Sequence, residues 1–148
     1  MIGYPAISLN SVEWRYLLAQ HANTDYSAVT LDDSQWIPLA RLSDWVVASS
    51  AQPGADWFRC AVRLEATERC VSYQLKLDTV PESVEIYVNG QHVGSAAARR
   101  GFCADVTPLV RLGSNIIAMR LTCSGGDGGT FGSVSLQPVP CDEETLGF

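Results

Sequence analysis

Two short stretches, VSYQLKL (71–77) and VEIYV (84–88), alternate apolar and polar residues with a strict period of two. That period places successive side chains on opposite faces of an extended strand and is incompatible with a helix of the same length. In the first, Val71, Tyr73, Leu75 and Leu77 share a face, with Ser72, Gln74 and Lys76 opposite. In the second, Val84, Ile86 and Val88 oppose Glu85 and Tyr87. Asn89-Gly90 follows at once, and both residues tolerate the positive φ of a type I′ hairpin turn. The two runs flank the turn Pro81-Glu82-Ser83, and are expected to pair as neighbours.

Further runs extend the pattern. Val12–Leu18 alternates through Val12, Trp14 and Tyr16 and reads as a strand, with a helix as the alternative because Leu17 and Leu18 interrupt it. Gln35–Leu39 contains Pro38 and suits an edge strand or loop. Trp57–Leu64 sets Trp57 and Arg59 against Phe58, Cys60 and Val62. Gln91–Gly94 returns from the hairpin, and Phe102 and Cys103–Val106 rejoin the sheet. Thr107–Arg111 reads as one helical turn before Gly113. Asn115–Thr122 and Phe131–Pro138 complete the set, while residues 1–11 read as an irregular lead-in. About eight short strands with turns between them and no long helix predict an all-β antiparallel sandwich of jelly-roll type. The 148 residues suit a single domain, with a core over 12–138 and an acidic tail over 139–148.

The charge balance narrows the partners. Net charge is −6, Lys76 is the only lysine, and Arg99-Arg100 is the longest basic run. A nucleic-acid backbone or an anionic membrane would meet like charge, so neither is an expected partner. No segment approaches the ~18 consecutive apolar residues of a membrane-spanning helix. The start, MIGYPAISLNSVEW, has neither a charged beginning nor a long apolar run, so no secretory leader is expected. The five cysteines are odd in number and form no Cys-x-x-Cys pair. They read as buried free thiols in a reducing, cytoplasmic setting, with one or two disulfides as the alternative.

The order of motifs resembles the sugar-binding domain of glycoside hydrolase family 2, a galactose-binding-domain-like jelly roll. Asp33-Ser34-Gln35-Trp36 and Trp57-Phe58-Arg59 stand where that family has Asp-x-x-Trp and Trp-x-Arg. Ile86-Tyr87-Val88-Asn89-Gly90 and Val93-Gly94 match its Val-x-Val-Asn-Gly hairpin and the Val-Gly after it. Phe102, Asp105-Val106-Thr107, Leu109 through Gly113 and Asn115, and Gly128-Gly129 follow in the family's order. Two departures stand out. Ser95-Ala96-Ala97-Ala98-Arg99-Arg100 replaces a Gly-Gly-Tyr/Phe-rich loop, and the family's catalytic carboxylates belong to a separate barrel domain. The resemblance therefore implies a non-catalytic carbohydrate-binding module rather than an enzyme. The alternative is a structural or protein-interaction module that docks a catalytic partner protein or forms a homo-oligomer.

No catalytic constellation competes with this reading. His21 and His92 are isolated, and no Gly-x-Ser-x-Gly elbow or His-Glu-x-x-His pair occurs. SGGDGGT (124–130) precedes a strand, whereas phosphate cradles open onto a helix. Asp127 lacks the companion ligands of a calcium site, so neither a metal nor a cofactor is expected. The pairs Asp32-Asp33 and Glu143-Glu144 read as solvated charges. Sugar recognition needs an aromatic platform and planar donors. Trp14, Trp36 and Trp57 fall in strands and belong to the core. Trp45, in the long connection 40–56, and Arg99 and Arg100 are the candidate ligand-binding residues.

Overall fold

A computed structural model describes residues 5–10, 12–20, 25–40, 54–67, 70–97, 100–123 and 131–141. Among them run ten strands: β1 (Ile7–Ser8), β2 (Trp14–Gln20), β3 (Ile37–Leu39), β4 (Gly54–Leu64), β5 (Val71–Leu77), β6 (Val84–Val88), β7 (Gln91–Ala96), β8 (Phe102–Asp105), β9 (Gly113–Cys123) and β10 (Val134–Pro140). They form two sheets, β1-β10-β5-β8 and β3-β2-β4-β9-β6-β7. All pairings are antiparallel. The expected all-β sandwich is the observed architecture.

The two alternating runs around Pro81 are both strands with the expected bounds, but they do not pair. β5 lies in the four-stranded sheet and β6 in the six-stranded one. The chain changes sheets at the Pro81 corner, so the apolar faces of the two runs look into one shared core. Leu75 and Leu77 meet a layer that includes Ile86, Phe58, Met119 and Leu121. Burying each such side chain contributes about 1.5–3 kcal/mol, so a strict apolar stripe on both runs stabilises opposed layers as well as it would adjacent strands. Alternation specifies the face of a strand and leaves its neighbour undetermined.

Other differences are local. The lead-in contains β1, whose Ile7 and Ser8 pair with Leu136 and Ser135. Asn10 fastens it by donating to the Gly132 carbonyl and accepting from the Val134 amide, at 3.1 and 2.8 Å. β2 is a strand, which closes the helical alternative. The last strand begins at Val134 and runs on through Pro138 and Pro140. β1 covers only its Ser135 and Leu136, so beyond them β10 has an open side where proline is tolerated.

The Asn-Gly turn is as expected: Asn89 has φ 50° and Gly90 φ 85°. Asn89 also reaches across the end of the sandwich. Its Nδ2 donates to the Leu109 carbonyl and to Asn115 Oδ1 (2.8 and 2.9 Å), and its Oδ1 accepts from the Ile116 amide (2.8 Å). Asn115, fully buried, accepts from the Arg111 amide and donates to the Arg111 and Gly113 carbonyls. The Asn-Gly and Gly-x-Asn motifs are thus two halves of one network tying the β6–β7 hairpin to the turn before β9.

The cysteines require a correction. Cys70 and Cys141 form a disulfide, with Cα atoms 5.4 Å apart. They flank the last registered pair of β5 and β10, Val71 and Pro140, and the Cys141 amide donates to the Cys70 carbonyl. Register brings them together across 71 residues, a relation that cysteine parity does not encode. Cys60 is buried and free, as expected, whereas Cys103 is free but exposed. Burial pushes the Cys60 thiol up far above its ordinary value, so it stays protonated and unreactive.

Candidate functional site

The six-stranded sheet is buried on part of both faces. On the inner face Phe58, Cys60, Val62 and Leu64 enter the main core. On the outer face Trp57 and Ala118 pack with Trp36 in a second cluster, together with Leu17, Tyr26, Leu31 and Tyr87. Residues 25–36 supply the cover. They cross this face as a series of side-chain-capped turns. Asp25 accepts from the Ser27 amide and hydroxyl, and Asp32 accepts from the Ser34 amide. Those hydrogen bonds hold both carboxyls below the usual carboxylate range.

Arg59 fastens this cover. Its position on β4 points outward, yet its side chain is only 1% exposed. Nε donates to Asp33 Oδ2 at 2.8 Å and Nη1 to the Tyr26 carbonyl at 2.7 Å, while Nη2 lies 3.5 Å from the Leu31 carbonyl. A rigid fork of donors is needed to reach a carboxylate and two carbonyls at once. Trp36 and Trp57 each stand edge to face with Tyr26, at 5.7 Å. The Asp-x-x-Trp and Trp-x-Arg motifs are therefore partners in one structural clamp. Its arginine is consumed by the protein itself.

Beside the clamp the outer face opens into a cleft of about 510 Å³. Ala61 and Ile116, paired across β4 and β9, lie along its floor. Glu13, Arg15, Asp33 and Ser34 line its polar side. Arg15 lies 3.8 Å from Glu13 and 3.9 Å from Asp33 Oδ1, and its one side-chain hydrogen bond among the described residues is to the Asp33 carbonyl at 3.3 Å. Glu13 and Arg15 belong to no motif that marks them in the sequence. The available signal was that both fall on the polar face of a strand whose other face carries Trp14 and Tyr16.

Of the candidate ligand-binding residues, Trp45 and Arg99 lie outside the described residues, as do His21, Asp127, Gly128-Gly129 and Glu143-Glu144. Arg100 is exposed, and its amide donates to the Ala97 carbonyl at 3.0 Å. Register defines the end of the sandwich it occupies. Gly54 pairs with Cys123, and Val84 pairs with both Leu121 and Ala96. Hence the start of β4, the end of β7 and the end of β9 lie together. The residue following Trp45's segment, the Arg100 connection and the approach to SGGDGGT flank one another there. Gly101 abuts this end closely: a Cβ on it would stand 2.9 Å from the Asp78 carbonyl oxygen. Trp14, Trp36 and Trp57 are buried, as core residues should be. His92 is exposed and pairs with Glu85 at 2.6 Å. Among the described residues no group of three His, Cys, Asp or Glu side chains is arranged to hold a metal ion.

The architecture, with its β3-β2-β4-β9-β6-β7 sheet backed by four strands, is that of a sandwich domain found in family 2 glycoside hydrolases. A β-glucuronidase of Bacteroides uniformis superimposes with a TM-score of 0.76 over 92% of this chain, at 24% identity. A family 2 member from Bacteroides cellulosilyticus gives 0.72 over 90%, at 22% identity, and a β-glycosidase from Bacteroides vulgatus gives 0.75 over 91%, at 20% identity. By sequence, 118 residues are 27% identical to a protein of Formosa agariphila described as a putative beta-glucuronidase. No protein-family model matches the chain. The chain spans 14% of the Formosa protein and 18–20% of these solved chains. The likeness is to one domain of much larger proteins.

Proposed function

We propose that this chain is a non-catalytic carbohydrate-binding module whose ligand is met at the loop end by Trp45, Arg99 and Arg100. The observation that carries the reading is the likeness to a domain of family 2 glycoside hydrolases over nine-tenths of the chain. Gly54 and Arg100, the described residues next to the Trp45 and Arg99 segments, lying at one end of the sandwich support it. Trp45 would offer a flat apolar face to sugar C–H groups, and the two guanidinium groups would donate to hydroxyls or to a carboxylate. The reading is non-catalytic because glycoside hydrolysis needs two carboxyls about 5–9.5 Å apart across the sugar, whereas Asp25, Asp32 and Asp105 cap turns and Glu13, Asp33, Glu65 and Glu85 stand beside cationic partners.

Calorimetric titration with a panel of neutral and uronic-acid glycosides tests this. Saturable heat that disappears in Trp45→Ala and weakens in Arg100→Ala is the expected result. No heat with any glycoside, together with a stable dimer by light scattering, would favour the structural or protein-interaction module instead. For the cellular setting, the Cys70–Cys141 bridge fits an oxidising compartment better than the cytoplasm expected from cysteine parity. Thiol titration of protein taken directly from cells separates the two.

A further inference from the structure

We infer that the cleft on the outer face of the six-stranded sheet is a second binding site, which takes a neutral vicinal diol between Glu13, Arg15 and Asp33. It is independent of the loop-end reading, since Arg59 and the cover it fastens belong to the middle of the sheet. Three observations carry it. First, the volume of about 510 Å³ suits a small molecule. Second, the ion pairs that line it are loose. Arg15 stands 3.8 and 3.9 Å from two carboxylates that flank it, beyond hydrogen-bonding distance. It is 36% exposed, and its side-chain hydrogen bonding among the described residues ends at one carbonyl. The guanidinium thus retains donors, and Glu13 and Asp33 Oδ1 retain acceptor capacity. Third, the floor is apolar, made by the small Ala61 and by Ile116.

Acceptor, donor and acceptor in sequence match two adjacent hydroxyls, each of which both donates and accepts. The apolar floor matches the C–H side of the carbon chain or ring that bears them. The charges select a neutral ligand: Glu13 offsets Arg15, Asp33 offsets Arg59, and an anion would meet a carboxylate on either side of the one exposed guanidinium. Arg59 also borders the cleft but is buried, with each of its three nitrogens directed to an acceptor of the cover, so it is given no part in binding. Asp33, a lining residue, is held by Arg59 through Oδ2, and its Oδ1 stands 3.9 Å from Arg15 Nη1.

The test uses the full chain, labelled with nitrogen-15, and two probes: D-mannitol, an open-chain polyol, and methyl β-D-glucoside, a pyranoside. The expected result is saturable movement of the Ser34, Ala61 and Ile116 amide signals, with affinity in the millimolar range. Glu13→Gln and Arg15→Gln should each weaken it about tenfold, the usual consequence of losing one charged hydrogen bond. Both side chains are partly exposed, so both variants should keep their melting temperatures. Binding of both probes would mean that the diol suffices. Binding of the glucoside alone would mean that ring contact with Ala61 and Ile116 is also required. Either supports the site. Unmoved signals with both probes, or movement unchanged by both substitutions, overturns it. Movement confined to residues 100–101 and abolished in Arg100→Ala also overturns it, while leaving the loop-end reading intact.

Discussion

Arg59 shows most clearly how one residue sets the outer face. Removing it leaves a carboxylate and backbone carbonyls under the 25–36 cover without their donor. Arg59→Ala is expected to cost about 3–5 kcal/mol in urea unfolding, towards the lower figure because Asp33 is 25% exposed and can rehydrate. Arg59→Lys should recover less than half, since one ammonium cannot span the same acceptors. A loss below about 1 kcal/mol, the scale of a surface ion pair, would contradict the clamp. Acid should act on the turns. The Asp25, Asp32 and Asp105 carboxyls are held low by hydrogen bonds from Ser27, Ser34 and Thr107 respectively. Their folded values lie below their unfolded ones, so their contribution is complete above the unfolded carboxyl value, about pH 4, and is lost as pH falls further. Melting temperature followed downward from neutral pH should hold and then decline below about pH 4. In native protein an alkylating reagent should modify exposed Cys103 promptly and reach buried Cys60 only on unfolding. The sequence showed that Arg59 shares a face with Trp57. It did not show that a loop covers that face, because alternation carries no information about what lies beyond the sheet.

Strand faces were legible, whereas strand neighbours were legible only across the Asn89-Gly90 hairpin, where β6 pairs with β7. β5 and β6 have the bounds expected from their alternation, yet they sit in opposite sheets, because an apolar stripe is satisfied equally by a partner beside it or across the core. β1 was not legible because two residues cannot display a period. The Asn89-Gly90 turn was legible because its positive φ values demand those residue types. The Asn89 side-chain bonds to Leu109, Asn115 and Ile116 were not. Asn89→Gly keeps the backbone conformation and removes only those bonds; it should cost about 1–3 kcal/mol for the buried groups left unpaired. An unchanged urea midpoint would mean that the network contributes nothing. In the four-stranded sheet, the Cys70–Cys141 bridge holds the end of β10 against β5. The double Cys70→Ser/Cys141→Ser variant should lose about 2–5 kcal/mol, and a reducing agent should lower the stability of the native chain by the same amount and leave the double variant unchanged.

For the molecule as a whole, the motif order carried the fold because the best-defined motifs do structural tasks in it: Asp-x-x-Trp and Trp-x-Arg build the Arg59 clamp, and Asn-Gly and Gly-x-Asn build the Asn89–Asn115 network. The same fact limits what the motifs say about ligands, since residues occupied in holding the frame are not available to bind. Recognition falls instead to what the frame leaves over, namely the loop end around Arg100 and the outer-face cleft at Arg15. The measurement that most directly tests the central proposal is an amide spectrum of the full chain titrated with the glycoside panel. Saturable shifts are expected at the loop end, centred on Arg100, Gly101 and Gly132, with the Arg100 signals among the largest. A spectrum in which no glycoside moves those signals would contradict it.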